Sequence, residues 1–114
     1  MLTVYAGTTR IFTITTFYNG VPLNLTGLLG AKFCVKSNVD DADSAALITK
    51  TLGAGIVVTD PVGGVMTLTL DESDTELLAS MTVPCALMIE DSGSNSFVIF
   101  ADSFCIVRSA VRSV

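Results

Sequence analysis

The sequence predicts an all-β fold, an antiparallel β-sandwich of about eight strands with one short helical turn. Nearly every apolar segment alternates with a period of two, which is typical of strands, rather than with the 3.6-residue period of a helix. Turn signals recur about every 8 to 12 residues, as they do in sandwich domains. The length of 114 residues fits a single domain over residues 1–114, because it is enough to bury one core and too little for two.

The N-terminal third begins with the strand segment "RIFTITTF". Phe12 and Ile14 share one face of this strand, and the alternation slips around Thr16, where a bulge is predicted. The pair Asn19-Gly20 then gives a strong turn signal, because both residues tolerate a positive φ. The extended segment "VPLNLTG" follows, and its proline keeps it out of any central ladder.

The middle of the chain contains three strand segments and a loop. The segment "AKFCVKS" predicts a strand, the polar loop "SNVDDADSA" follows it, and a short strand covers residues 47–52. In "GIVVTDPVGGVMTLTL" the period predicts a hairpin whose five-residue loop is "DPVGG". The residues expected to point inward from these strands are Ala31, Phe33, Val35, Ile56, Val58, Met66, Leu68 and Leu70, whereas Lys32, Cys34 and Lys36 point outward.

The acidic run "DESDTE" predicts the helical turn. Ser73 and Glu76 have the spacing of a capping box, in which each side chain satisfies a free backbone amide at the start of a helix. Asp74 lies at the positive end of the helix dipole. The carboxylates therefore have a structural explanation, and cation binding is the less favoured alternative.

The C-terminal third predicts three more strands, near Cys85–Glu90, Phe97–Ala101 and Phe104–Val111, with the first hairpin turned at "DSGSN". Together with the earlier segments, they indicate an antiparallel β-sandwich of immunoglobulin type. No internal repeat or linker interrupts the chain.

The segment "SFVIFADSFCIV" is predicted to be apolar on both faces. Phe97 and Ile99 are assigned to the core face, and Val98 and Phe100 to the outer face. The outer face of a sandwich normally carries polar residues, so this strand is expected to meet a partner. The candidate interface residues are Val98, Phe100, Cys105 and Val107.

Composition excludes several classes of function. Half of the residues are hydrophobic and 15% are charged, with a mean hydropathy of +0.66, so a partner is expected to cover part of the apolar surface. Thr, Asn, Gly and Pro interrupt the longest uncharged run, which excludes a spanning helix. The N-terminus "MLTVYAGTTR" has no signal-peptide pattern, so folding in the cytoplasm is expected. A net charge of −5 makes nucleic acid a poor partner.

Residue types also argue against an enzyme. The chain has no histidine, which excludes the Ser/His/Asp and Cys/His nucleophile arrangements. The three cysteines cannot all pair within one chain and are interpreted as reduced, with a Cys85–Cys105 bridge as the less favoured alternative. Cys34, between Lys32 and Lys36, is the one thiol with an argument for a lowered pKa, but no proton acceptor accompanies it.

No cofactor or metal site is expected. Asp40, Asp41 and Asp43 cluster their oxygens as half of a calcium site would, yet the loop lacks the glycine and distal glutamate of an EF-hand, and a solvated loop is favoured. The glycines that flank the central strands occupy turns and open no helix, so they do not form a phosphate-binding loop.

The order of three motifs resembles the immunoglobulin-like domain at the N-terminus of phage baseplate upper proteins, a module of many tail and fibre proteins. The resemblance runs from about residue 7 to residue 107. It implies a scaffold for virion assembly without catalytic residues. The motifs are the "G.P.NLTG" segment (Gly20, Pro22, Asn24, Leu25, Thr26, Gly27), the block Gly55, Ile56, Asp60, Gly64, Leu70, Asp74, Thr75, Leu78, and the turn Asp91, Ser92, Gly93.

The resulting hypothesis is a non-enzymatic virion protein that acts in tail, baseplate or fibre assembly through contacts with other virion proteins or copies of itself, in a symmetric assembly. The first alternative is a capsid decoration protein on the phage head, which the short sequence without a fibre region favours. The second is a carbohydrate-binding adhesin module, which the absence of Trp and the presence of only two Tyr disfavour, because sugar binding uses exposed aromatic rings.

Overall fold

A computed structural model describes residues 2–108 of the chain, and they are almost entirely β-structure. One sheet of eight strands has the order β1-β10-β9-β5-β6-β7-β8-β2, and β3 and β4 form a separate small hairpin. The strands are β1 Leu2–Tyr5, β2 Arg10–Thr15, β3 Phe17–Tyr18, β4 Val21–Pro22, β5 Gly30–Val35, β6 Ile48–Leu52, β7 Gly55–Asp60, β8 Val65–Leu70, β9 Met81–Glu90 and β10 Ser96–Val107, with an α-helical turn α1 at Glu72–Thr75 and a 3₁₀ turn at Asp43–Ala45.

The all-β class predicted from the sequence is confirmed, and the main sheet has the predicted number of eight strands, with the β3-β4 hairpin in addition. The pairing is mainly antiparallel, but β1 with β10 and β6 with β7 are parallel. The sheet curls so far that Leu2 of β1 and Phe12 of β2, at its two edges, line one cavity. The immunoglobulin-like connection of the strands stays a prediction.

The core lies inside this curled sheet and follows the predicted alternation. Phe33 is fully buried, and its ring centroid lies 6.1 Å from the centroids of Phe100 and Phe104. Such tilted aromatic packing stabilises a core beyond the area that it buries. The buried apolar residues are Val4, Ala6, Leu25, Ala31, Phe33, Val35, Ile48, Ile56, Met66, Leu68, Leu70, Cys85, Leu87, Ile89, Phe104 and Ile106.

The turn at Asn19-Gly20 is confirmed. Asn19 has a φ of 52° and Gly20 a φ of 77°, as a tight hairpin requires. The predicted bulge near Thr16 is wrong, because β2 ends at Thr15 and the chain leaves the main sheet there to form the β3-β4 hairpin.

The hairpin of β7 and β8 is also present, with differences in its turn. Its loop is one residue shorter than predicted, since β7 extends to Asp60. The register shifts between Val58 and Asp60. Met66, Leu68 and Leu70 are fully buried as predicted.

The helical turn starts earlier than predicted. Asp71 is its N-cap, and Asp74, not Glu76, completes the capping box by accepting a hydrogen bond from the Asp71 backbone N–H at 2.6 Å. Two contacts fix this position: Lys50 Nζ lies 2.8 Å from Asp74 Oδ2, and Thr75 Oγ1 accepts from the Gly7 backbone N–H at 3.0 Å. The turn is therefore tied to β6 and to the segment after β1.

Two strand predictions for the C-terminal third are wrong. Residues 97–101 and 104–107 belong to one continuous strand, β10, which pairs with β9 along its length and contains a register shift between Val98 and Phe100. The predicted extension to Val111 lies outside the described residues. Strand β1 has no counterpart among the predicted elements, and its partner lies about a hundred residues away in the chain.

Within residues 2–108, no helix has both the length and the apolar character needed to cross a lipid bilayer.

Candidate interaction surface

The outer face of β5, β9 and β10 forms a groove of about 1030 Å³. Its floor is a row of small side chains in direct register across the three strands, with Cys34 opposite Ala86 and Ala86 opposite Ala101. Longer side chains flank this row, among them Met88 and Lys32, which are opposite each other. The groove therefore follows from side-chain size, since a row of small residues between longer ones leaves a depression in the pleated surface.

The loop after β5 forms one wall of the groove. Asp43 holds this loop over the sheet, because its carboxylate lies 2.7 Å from Lys36 Nζ and 3.1 Å from Lys32 Nζ. Lys36 Nζ also donates to the Asp41 carbonyl oxygen at 2.8 Å. Val39, at the tip of the loop, is 71% exposed and lines the groove.

Charge on this wall is internally compensated. The hydrogen bond from Lys36, and then that from Lys32, hold the pKa of the Asp43 carboxyl below its ordinary value. The same bond to Asp43 raises the pKa of Lys36. Both amines beside Cys34 are thus paired with the Asp43 carboxylate.

Three of the four predicted interface residues lie on the outer face of β10. Val98 is 57% exposed and lies opposite Met88, which is 47% exposed. Cys105 and Val107 are half-buried, and Val107 lies opposite Tyr5 of β1. These side chains extend the apolar surface from the groove toward the sheet edge at β1.

The assignment of Phe100 to this outer face is wrong. The irregularity at Ile99 shifts the register by one residue, so that Phe100 lies opposite Leu87 and packs inward against Phe33. Ala101 takes the outward position next to it. A one-residue shift in a strand exchanges the two faces, and the apolar run around Ile99 carries no local signal of where the shift falls.

The outer face is consequently less apolar than the sequence indicated. Beyond Val98, its β10 residues are Ala101, Ser103, Cys105 and Val107. Sequence reasoning identified the strand but missed the groove. The sequence signal for the groove was the small size of three outward-facing residues, Cys34, Ala86 and Ala101. Whether these residues align depends on the register between their three strands.

The acidic loop is organised by bonds within the protein. Asp41 Oδ2 accepts from the Asn38 backbone N–H at 3.2 Å, and the carboxylate of Asp43 binds the two lysines. In the part of the chain that the structure describes, no group of three or more His, Cys, Asp or Glu side chains is placed to hold a metal ion.

The three thiols occupy separate environments. Cys85 points into the core, where burial raises the pKa of its thiol to about 11. Cys105 points outward from β10, opposite Thr82 rather than Cys85. The two side chains lie on opposite faces of the sheet, which is incompatible with the geometry of a disulfide, and all three cysteines are free in the structure.

Comparison with known proteins gives a likeness of fold. No protein-family description matches the sequence, and no curated protein matches it. Among solved structures, the fold is similar to the N-terminal domain of phage TP901-1 ORF48, with a TM-score of 0.55 and 13% sequence identity. The match covers 95% of this chain and 83% of that one, so it extends over nearly the whole chain. At this identity the likeness is one of fold.

Proposed function

We propose that this chain is a non-enzymatic structural module of a phage virion, which acts in the tail or baseplate through protein–protein contacts. The observation that carries the proposal is the similarity of nearly the whole fold to an N-terminal domain of a phage protein. The motifs around Gly20, Gly55 and Asp91 support it independently, since they resemble the module found in baseplate upper proteins.

The proposed contact surface is the outer face of β9 and β10, which includes Val98, Cys105 and Val107. Exposed apolar side chains next to a groove of small residues are typical of protein interaction sites. Nothing in this arrangement requires a cofactor.

Location in the virion is the first test. Virions of the phage that encodes this chain are purified, separated into heads and tails, and analysed by mass spectrometry. The proposal predicts the chain in the tail fraction. Recovery in the head fraction would favour capsid decoration, and its absence from both fractions would contradict a virion role.

Contact through the outer face is tested by Val98→Asp, with Val57→Asp as the matched control. Val98 and Val57 are exposed to a similar extent, 57% and 54%, but Val57 lies on β7, away from the groove. A buried charge without a partner is costly, so Val98→Asp should abolish incorporation into particles while circular dichroism shows a folded domain. Equal incorporation of both variants would contradict this surface.

A further inference from the structure

Strand β2 is an edge of the sheet, and among residues 2–108 it pairs only with β8. The ladder alternates between residues that bond to the partner strand and residues that point away from it. Thr16, directly after β2, donates its backbone N–H to the Gly64 carbonyl oxygen at 2.8 Å. The even-numbered residues of β2 therefore bond to β8. The backbone groups of the odd-numbered residues Ile11, Thr13 and Thr15 point to the free edge.

This edge lacks the features that keep sheet edges apart. Natural edge strands are usually short, bulged, or marked by proline or lysine. Strand β2 has six residues, pairs without a register shift and contains neither proline nor lysine. Its one charge, on Arg10, lies at the start of the strand with the guanidinium carbon 5.0 Å from the Phe12 ring centroid. The strand itself therefore carries nothing that would prevent another strand from pairing with it.

The same edge also exposes part of the core. Phe12 and Ile14 point to the core side of β2 but are only partly buried. They line a cavity of about 220 Å³, whose other lining residues are Leu2, Thr13, Leu68, Phe100 and Asp102. An added strand with apolar side chains on its core side would cover this opening.

We propose that the occupant of this edge is a second copy of the chain, which pairs through its own β2 in antiparallel orientation around a two-fold axis at Thr13. Thr13 then lies opposite Thr13 of the second copy, and Ile11 lies opposite Thr15. All three edge-facing residues are matched with edge-facing residues, so each opposed pair forms two hydrogen bonds. On the core side, Phe12 lies opposite Ile14, an aromatic and β-branched pair of the kind that stabilises sheets.

This register is selected by the strand itself. Opposed residues in an antiparallel pair point to the same face. A shift of the register by one residue would therefore place core-side residues opposite outward-facing ones, and only shifts by two residues keep the apolar side chains together. An axis at Phe12 would match only Ile11 with Thr13 and would leave Thr15 unpaired. The axis at Thr13 uses the whole edge and keeps the two Arg10 side chains at opposite ends, which gives the self-complementary contact that a two-fold dimer requires. This inference does not depend on the phage role.

The first test measures the mass of the full chain by analytical ultracentrifugation over a range of concentrations. Thr13→Pro removes an N–H that points to the free edge and leaves the ladder to β8 intact. The variant loses both hydrogen bonds at the axis, so the dissociation constant of the dimer should rise by about tenfold to a hundredfold. Thr3→Pro is the control: the Ala6 N–H bonds to Val107, which places the Thr3 N–H on the free edge of β1, where no loss of dimer is expected.

The second test examines the register and does not require proline to be tolerated. Thr13→Cys, oxidised or treated with a short bifunctional thiol reagent, should form a covalent dimer, because opposed residues in a hydrogen-bonded pair lie about 5.5 Å apart between Cα atoms. The reagent is needed because the Cβ atoms of such a pair lie at or beyond the long end of the disulfide range. Thr15→Cys should not form a covalent dimer, since its counterpart in the second copy lies about 13 Å away along the strand. The unmodified chain, oxidised in parallel, reports any link through its native thiols.

A chain that stays monomeric at about 100 µM, above the micromolar range typical of weak association, would overturn the proposal. A dimer that survives Thr13→Pro in folded protein would overturn it as well. So would a dimer that is linked by Thr15→Cys as efficiently as by Thr13→Cys.

Discussion

Thr16 donates two hydrogen bonds to the carbonyl oxygen of Gly64, one from its backbone N–H at 2.8 Å and one from its hydroxyl at 2.9 Å. Thr16 is fully buried, and it lies where the chain leaves β2 for the small hairpin. A buried hydroxyl needs such a partner. The contact brings the backbone of Gly64 close enough that a side chain there would meet the Leu23 carbonyl oxygen at 2.6 Å.

Gly64→Ala should therefore destabilise the domain strongly. Gly64 has a φ of +71° and backbone atoms within contact distance, whereas Gly20 has a similar φ of +77° and open space, with no atom within 4 Å of where an alanine Cβ would lie. Gly20→Ala is the matched comparison. The positive φ that the two positions share costs about 1 kcal/mol in each variant. Close approach should add about 2 kcal/mol or more at Gly64 alone. Urea denaturation of the two variants measures the difference, and equal losses would contradict the close approach.

Phe100→Ala should lower the free energy of unfolding by about 2 to 4 kcal/mol, because Phe100 packs against Phe33 in the core. Val98→Ala, two residues away on the exposed face, should change it by less than about 0.5 kcal/mol. Thermal unfolding followed by circular dichroism compares the two variants. A small effect of Phe100→Ala on the free energy of unfolding would indicate that this side chain lies on the outer face.

Asp74→Asn should be more destabilising than Asp43→Asn. The side chains of Lys50 and Asp74 are only 13% and 19% exposed, so the variant leaves Lys50 poorly solvated without its charge partner, at a cost of about 1 to 3 kcal/mol. Asp43 is well exposed, with 56% of its side chain accessible, and its loss should have little effect on stability. Chemical denaturation at low and high salt tests this order. If Asp43→Asn cost more, the ion pair at the helical turn would be unimportant.

Thiol reactivity should divide the three cysteines. At pH 8 in the folded protein, the half-buried Cys34 and Cys105 should react with a thiol reagent before the buried Cys85, whose pKa is raised to about 11 by burial. Under denaturing, non-reducing conditions all three should react. A count of one would mean an internal bridge.

The raised pKa of Cys85 also gives a pH dependence. The stabilising contribution of the protonated thiol is fully present below the ordinary thiol pKa of 9.0 and is lost as the pH rises through the folded-state pKa of about 11. Cys85→Ala should flatten this part of the stability profile. An unchanged alkaline profile in the variant would show that other groups cause the loss.

Local patterns predicted much of the fold. The inward positions of β5 and β8, such as Phe33 and Leu68, follow from the alternation of apolar and polar residues alone. The turn at Gly20 follows from the tolerance of glycine for a positive φ. The errors arose where contacts with residues distant in the sequence determine the local structure. The face of Phe100 depends on a register shift against β9, and the N-cap position of Asp71 depends on contacts with Lys50 and Gly7.

The candidate surface was predicted less well for the same reason. Val98 was placed correctly by period, but the groove exists only because Cys34, Ala86 and Ala101 come into register from three strands. No single segment contains that information. The free edge at β2 was equally invisible, since an edge is defined by which strands are adjacent.

The pairing of β1 with β10 joins residues 2–5 to residues 104–107, and it has a consequence for how the protein is made. On the ribosome, β1 emerges long before residues 104–107 are synthesised, so the sheet cannot be completed until those residues have emerged as well. Loop closure over so many residues is slow, and apolar strands stay exposed during the wait. Nascent chains of this protein should therefore depend on chaperones more than a domain built from local hairpins would.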